Sequence, residues 1–162
     1  MLPSLPPWDG LHVIVVHFPI ALLLVTPVFL LAGLLRRNWA RGMTTAALIL
    51  MALGTAGAIL SVETGEAAAE AADRTPEINA VLVQHAEMAE RTEIAFSLLT
   101  VVALLMAIAF DVWKRESLAR YRRAAFAAFL LVFLGATLLV VQTGHLGGRL
   151  VHEFGLKADL GK

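Results

Sequence analysis

The sequence predicts an all-α membrane protein, a four-helix up-down transmembrane bundle built from two helical hairpins whose helices extend beyond one membrane surface. Three observations predict it. Four apolar segments, 11–35, 43–62, 94–112 and 124–141, each supply roughly the 17–25 mostly apolar residues that cross a bilayer as helix. Hydrophobic residues make up 59% of the chain and the mean hydropathy is +0.77, more apolar surface than a soluble domain of this size can hide in its own interior. Finally, apart from Asp111 the charged residues all fall outside the four segments, so the chain reads as one membrane domain over 1–162.

The first segment, 11–35, differs from a signal peptide: it lacks a positively charged leader region, is too long, and has no small-residue cleavage site after it. It is expected to be a retained helix, with Asp9 as its N-cap. Pro19 and Pro27 each remove a backbone donor within it, so a bend is expected. The connection to the second segment carries Arg36, Arg37 and Arg41, and the one between the third and fourth carries Lys114, Arg115, Arg120, Arg122 and Arg123. The positive-inside rule makes these loops cytoplasmic and both termini extracytoplasmic.

Between the second and third segments the chain continues as helix. The run Glu66 to Asp73 is rich in helix formers and breaks near Pro76. A helix then restarts over 78–92, where Ile78, Val81, Leu82, His85, Met88, Ala89 and Thr92 form one stripe that aims His85 inward. The second and fourth segments end alike, in Thr64-Gly65-Glu66 and Thr143-Gly144-His145, and Leu53-Gly54 echoes Leu134-Gly135. Two origins fit these echoes: a duplicated hairpin, which would make Glu66 and His145 equivalent, or convergence on small residues for close helix packing.

Function is arguable from the five histidines, which all fall at the outer end of these segments: His12, His17, His85, His145 and His152. At about 1.5 Å of rise per residue from each cytoplasmic end, His17 stands roughly 27 Å up, His145 roughly 31 Å and His12 roughly 34 Å. Glu63 and Glu93 come out at about 29 Å, and His85 and His152 near 41 Å. The count predicts an inner group of His12, His17 and His145 and an outer pair of His85 and His152. On an ideal helix His145 and His152 share a face, whereas His12 and His17 diverge by roughly 140°.

Neutral imidazole is the usual axial ligand of haem iron, and a four-helix bundle can hold a haem between facing helices. His12, His17, His85 and His145 are the candidate ligands for a haem b. The same imidazoles with Glu63, Glu66 or Glu93 would also suit copper, zinc or non-haem iron, and interfacial histidines also serve as hydrogen-bonding groups or proton carriers. Absence of cysteine removes disulfides, thiolate metal sites, iron–sulfur clusters and covalent c-type haem. Thirteen basic residues balance thirteen acidic ones, which argues against a nucleic-acid partner.

Other features have plainer readings. Trp8, Trp39 and Trp113 stand at segment ends, as in an aromatic belt. Met88 reads as packing. Gly147-Gly148-Arg149 would admit a phosphate or propionate, or simply loosen a helix exit. Acidic residues dominate the outer side, whose simplest reading is solvation of helix ends; the alternative is a docking face for a basic soluble partner. No phosphate-binding loop, nucleophile elbow, zinc-protease signature or catalytic triad is present, so the chain is not expected to act as an enzyme alone.

The opening Leu11-His12-Val13-Ile14-Val15-Val16-His17-Phe18-Pro19-Ile20 resembles the bacterial membrane proteins grouped as domain of unknown function 2231, which open with His-Pro-x-x-Val-His-Phe-Pro-Ile. Gly144-His145-Leu146-Gly147-Gly148-Arg149-Leu150-Val151-His152 is similar to that family's closing Gly-x-Leu-Gly-Gly-x-Leu-Val-Tyr. Val13 replaces a usual proline and His152 a common tyrosine, so the resemblance carries over His12, His17, Phe18, Pro19, Gly144, Gly147 and Gly148. His85 and His145 rest on placement alone. Related domains occur fused to Rieske or cytochrome c modules, which implies electron transfer at the outer face. The expectation is a small b-type cytochrome or haem-binding subunit passing electrons between quinol and an extracytoplasmic redox protein. The alternatives are a copper or zinc site protein and a cofactor-free structural subunit of a respiratory complex. A larger complex or homo-oligomer is compatible with any of these.

Overall fold

A computed structural model describes residues 6–112 and 120–156. The first span, Trp8–Leu35, consists of α1 (Trp8–Val15) and α2 (His17–Leu35) joined through Val16, whose backbone is itself helical. The interruption has a local cause. Pro19 has no N–H to give the Val15 carbonyl, and the next bond, from Ile20 N to Val16 O, is stretched to 3.4 Å. Pro27 lies inside α2 without ending it. The expected N-cap at Asp9 is replaced: α1 starts after Pro7 with no side-chain cap, and Asp9 occupies the first turn. A carboxylate there still faces the positive end of the helix.

Helices α3 (Ala40–Ala71) and α4 (Pro76–Ala107) have 32 residues each, and α5 spans Arg122–His152. A 32-residue helix is about 48 Å long against a hydrocarbon core of about 30 Å. The second and third apolar segments are therefore the middle portions of longer rods, and the polar runs beyond them belong to the same helices. Between α3 and α4, the Thr75 hydroxyl accepts from Ile78 N at 3.3 Å, Pro76 takes the first helical turn, and the Arg74 guanidinium donates to the Ala69 carbonyl at the end of α3. These contacts fasten a hairpin of only four linking residues, 72–75. At the other end of α4 the chain widens into a π turn, Ile108–Val112. Trp113, Lys114 and Arg115 lie outside the described residues.

Sequence neighbours are also neighbours in space: α1 and α2 pack on α3, α3 on α4, α4 on α5, and α5 closes against α2. This is the expected up-down bundle, with four helices long and apolar enough to cross a membrane. Its centre is a cluster including Leu23, Met51, Phe96, Phe129 and Phe133. The Phe96 and Phe133 rings meet edge to face at 5.2 Å. Small residues set the approach of α2 to α3: a Cβ on Gly54 would come 2.7 Å from Leu23 Cδ2, and one on Gly57 would come 3.1 Å from Pro19 Cδ. Between α3 and α4, Thr55 and Thr100 share a hydroxyl hydrogen bond of 2.8 Å in the apolar interior. Outside, Leu131 (71% exposed), Leu138 (68%) and Leu98 (63%) belong to an apolar belt suited to contact with lipid.

Beyond the belt, at the histidine end, Val81, Leu146 and Leu150 form a second cluster with Met88 and Leu156 packed against it. Met88 is thus packing. Gly155, at φ +68°, ends α5 and turns Leu156 back so that its N–H donates to the Leu150 carbonyl at 3.1 Å.

Candidate functional site at the histidine end of the bundle

The structure brings together two histidines from the two hairpins. His12 of α1 and His85 of α4 stand with ring centroids 6.4 Å apart and ring planes at 82°. Both are half-buried. His12 Nδ1 lies 3.0 Å from the Ser61 carbonyl oxygen and 3.3 Å from Thr64 Oγ1. A carbonyl can only accept, so Nδ1 carries the proton and donates. The Thr64 hydroxyl gives its own proton to Leu60 O at 2.8 Å, leaving its oxygen to accept from the imidazole. On the other hairpin, His85 Nδ1 donates to the Thr143 carbonyl at 3.1 Å. Thr143 and Thr92 share a hydroxyl bond of 3.0 Å that fixes α4 against α5 at that level. In both rings Nε2 is the nitrogen left for a second partner.

Each ring also rests on a glycine one helical turn beyond its carbonyl acceptor. A Cβ on Gly65 would lie 2.9 Å from His12 Cε1, and one on Gly147 would lie 3.1 Å from His85 Cε1. A side chain at Gly65 would require the His12 ring to shift, and one at Gly147 would require the His85 ring to give by a few tenths of an ångström. The two half-sites are alike part for part: His12 with Ser61 and Gly65, His85 with Thr143 and Gly147.

This likeness follows a different register from the Thr-Gly echo in the sequence. A duplicated hairpin would have matched Thr64-Gly65 to Thr143-Gly144 and made Glu66 and His145 equivalent, whereas convergence on small residues implied no such match. In the structure Ser61 matches Thr143 and Gly65 matches Gly147, while a Cβ on Gly144 would meet open space. Tandem Thr-Gly pairs misled because the pairs differ in role. Hydroxyl-x-x-x-Gly, present as Ser61…Gly65 and Thr143…Gly147, is the pattern that would have located both seats.

The expected grouping by height fails for His85, whose ring meets that of the inner-group His12, while His17, His145 and His152 are exposed. The height count assumed four segments ending level at the basic side, and the contact between His12 and His85 requires a stagger of about a turn between their helices. Glu63 and Glu66 are exposed and Glu93 is half-buried. Among the described residues no three His, Asp or Glu side chains converge as a metal-binding group. Arg149, considered for a phosphate or propionate, is engaged with Glu153 through an ion pair at 3.0 Å. That guanidinium, just beyond the span, holds the Glu153 carboxyl below its usual range by hydrogen bonding.

A polytopic all-α membrane protein with two carbonyl-braced imidazoles in edge-to-face proximity at one end of its bundle is the class that fold and site define. The chain belongs to the family described as predicted membrane protein (DUF2231), whose model matches residues 9–159, as the opening and closing motifs implied. No curated protein and no solved structure matches it.

Proposed function

We propose that this chain is a membrane-embedded b-type haem-binding electron-transfer protein or subunit, with His12 and His85 as the axial ligands. The observation that carries the reading is the paired imidazole arrangement itself. The 6.4 Å between the ring centroids leaves the two imidazoles close enough for both to hold one group when such a group is bound. A donor set of two neutral histidines from facing helices fits haem, in which the porphyrin supplies the remaining four nitrogens.

Haem, when bound, supplies one-electron chemistry. The protein's part is positioning. The Ser61 and Thr143 carbonyls fix the Nδ1–H tautomer, orient each ring and raise the donor strength of Nε2. Gly65 and Gly147 give the rings their seats, and Thr64, Thr92 and Thr143 lock the backbone that carries those carbonyls. His17 and His145, exposed near the same end, are suited to exchange protons with a quinol rather than to share the metal. The basic loops favour a cytoplasmic placement and the pair an outer one in the inner membrane, where the acidic surface would receive a basic redox partner.

Copper held by the same two nitrogens would share the spacing, so the test must read both colour and metal. The purified protein is expected to show sharp b-type bands in a reduced-minus-oxidised spectrum, with about one haem per chain. His12→Ala and His85→Ala should each lose it, while His17→Ala and His145→Ala retain it. A colourless, iron-free protein containing stoichiometric copper or zinc would overturn the haem reading, and a metal-free protein purifying with respiratory partners would favour the structural-subunit reading.

A further inference from the structure

The two rings of the histidine pair stand on supports of unequal stiffness. His85 lies inside the 32-residue helix α4. One turn before it Val81 is buried with Leu146 and Leu150, and two turns after it Thr92 is tied across to Thr143 of α5. His12 lies in α1, an eight-residue helix in which only Gly10 is buried, with Trp8 and Ile14 exposed. No side chain caps its start, and Val16 separates its other end from α2. Two of the backbone bonds that would carry the helix through that junction are weakened or missing. Pro19 has no donor for the Val15 carbonyl, and Ile20 N reaches Val16 O only at 3.4 Å.

We propose that α1 is a hinged arm that turns about Val16 and carries His12 on and off the pair, with His85 as the fixed half. Little buried apolar surface resists the motion, as in segments that open locally, and the hinge falls at an element end beside a proline. Among the described residues, the side-chain hydrogen bonds from α1 to the rest of the bundle are both made by His12, to Ser61 O at 3.0 Å and Thr64 Oγ1 at 3.3 Å. At about 1.5 Å of rise per residue His12 stands about 6 Å from Val16, so a turn of about 20° moves its backbone by about 2 Å, enough to break those bonds. Opening uncovers the space between the rings. A group held by both is then received by His85 first and closed upon by His12. The inference rests on the paired-histidine reading, and it holds whichever group the pair takes.

The test uses the full chain in detergent, first freed of bound cofactor and then with hemin added. Because the chain has no cysteine, spin labels can be placed at Trp8→Cys and Val83→Cys, both exposed positions, to report the arm against α4. Labels at Ile59→Cys and Val83→Cys, also exposed, report α3 against α4 as the control. Trp8 stands about 12 Å from Val16, so a turn of about 20° displaces it by about 4 Å, and the arm distances in the unloaded chain should spread by about that much more than the control's. Hemin should narrow them to the control width. Gly65→Ala, by displacing the His12 ring, should widen them, and Pro19→Ala, by restoring the missing donor, should narrow them without hemin. Arm distances as narrow as the control's in the unloaded native chain would overturn the proposal, as would a spread that bound hemin leaves unchanged. A moving arm in a chain that fails to bind hemin would support the hinge and remove the haem reading.

Discussion

His12 and His85 are held by backbone rather than by charged partners, so their seats can be tested one atom at a time. In a helix, Gly→Ala ordinarily stabilises by about 0.8–1.0 kcal/mol. Gly144→Ala, whose Cβ meets nothing, should show that gain in thermal unfolding. Gly65→Ala and Gly147→Ala should instead forfeit it and, on the proposed haem reading, lower haem content, Gly65 more severely because its Cβ falls closer to the ring. Equal behaviour of the three alanines would remove the seat from the argument. The sequence named both histidines as candidates, and the apolar stripe pointed His85 inward. It did not pair them, because pairing depends on helix stagger and on a carbonyl acceptor, and neither leaves a mark in the side-chain pattern of the histidine's own helix.

At the scale of elements, buried packing and exposed belt should respond differently to the same chemistry. Phe133, fully buried against Phe96 and Phe129, should lose roughly 3–5 kcal/mol on Phe133→Ala. Leu131→Ala, on the lipid side, should stay within about 0.5 kcal/mol in the same unfolding assay. Thr100→Val removes the hydroxyl that links α4 to Thr55 and should cost about 0.6–1.7 kcal/mol. The last turn of α5 should be pH-sensitive. Glu153, with its carboxyl held low by Arg149, adds to helix-end stability above the ordinary carboxylate range and loses that contribution as pH falls through its folded value. Amide exchange at Gly155 and Leu156 should then quicken. Helix extents were legible where apolar period and helix formers agreed, as in the continuous α3 and α4. The break at Val16 was anticipated from Pro19, but the cap at Asp9 was not realised, since Pro7 already sets the entry.

For the whole molecule, four apolar segments with basic connections determined the up-down bundle, because few arrangements bury such segments with short links. The internal register was harder to see, since Thr-Gly echoes outnumber the positions that touch a ring. Topology can be measured directly because the chain has no cysteine. With the basic loops cytoplasmic, Pro7→Cys and Phe154→Cys should react with an impermeant maleimide added outside intact cells, and Arg41→Cys should react only after lysis. The reverse pattern would place the histidine pair on the inner face.

Each imidazole takes its carbonyl and its glycine from the partner helix of its own hairpin, and the hairpins meet ring to ring. Half of the centre is therefore complete within half of the chain. A polypeptide carrying only the first hairpin, paired with a second copy about a two-fold axis, would present the same two braced nitrogens to one another. In that arrangement each hairpin would carry one complete half of the ring pair, and the contact between hairpins would carry the pairing.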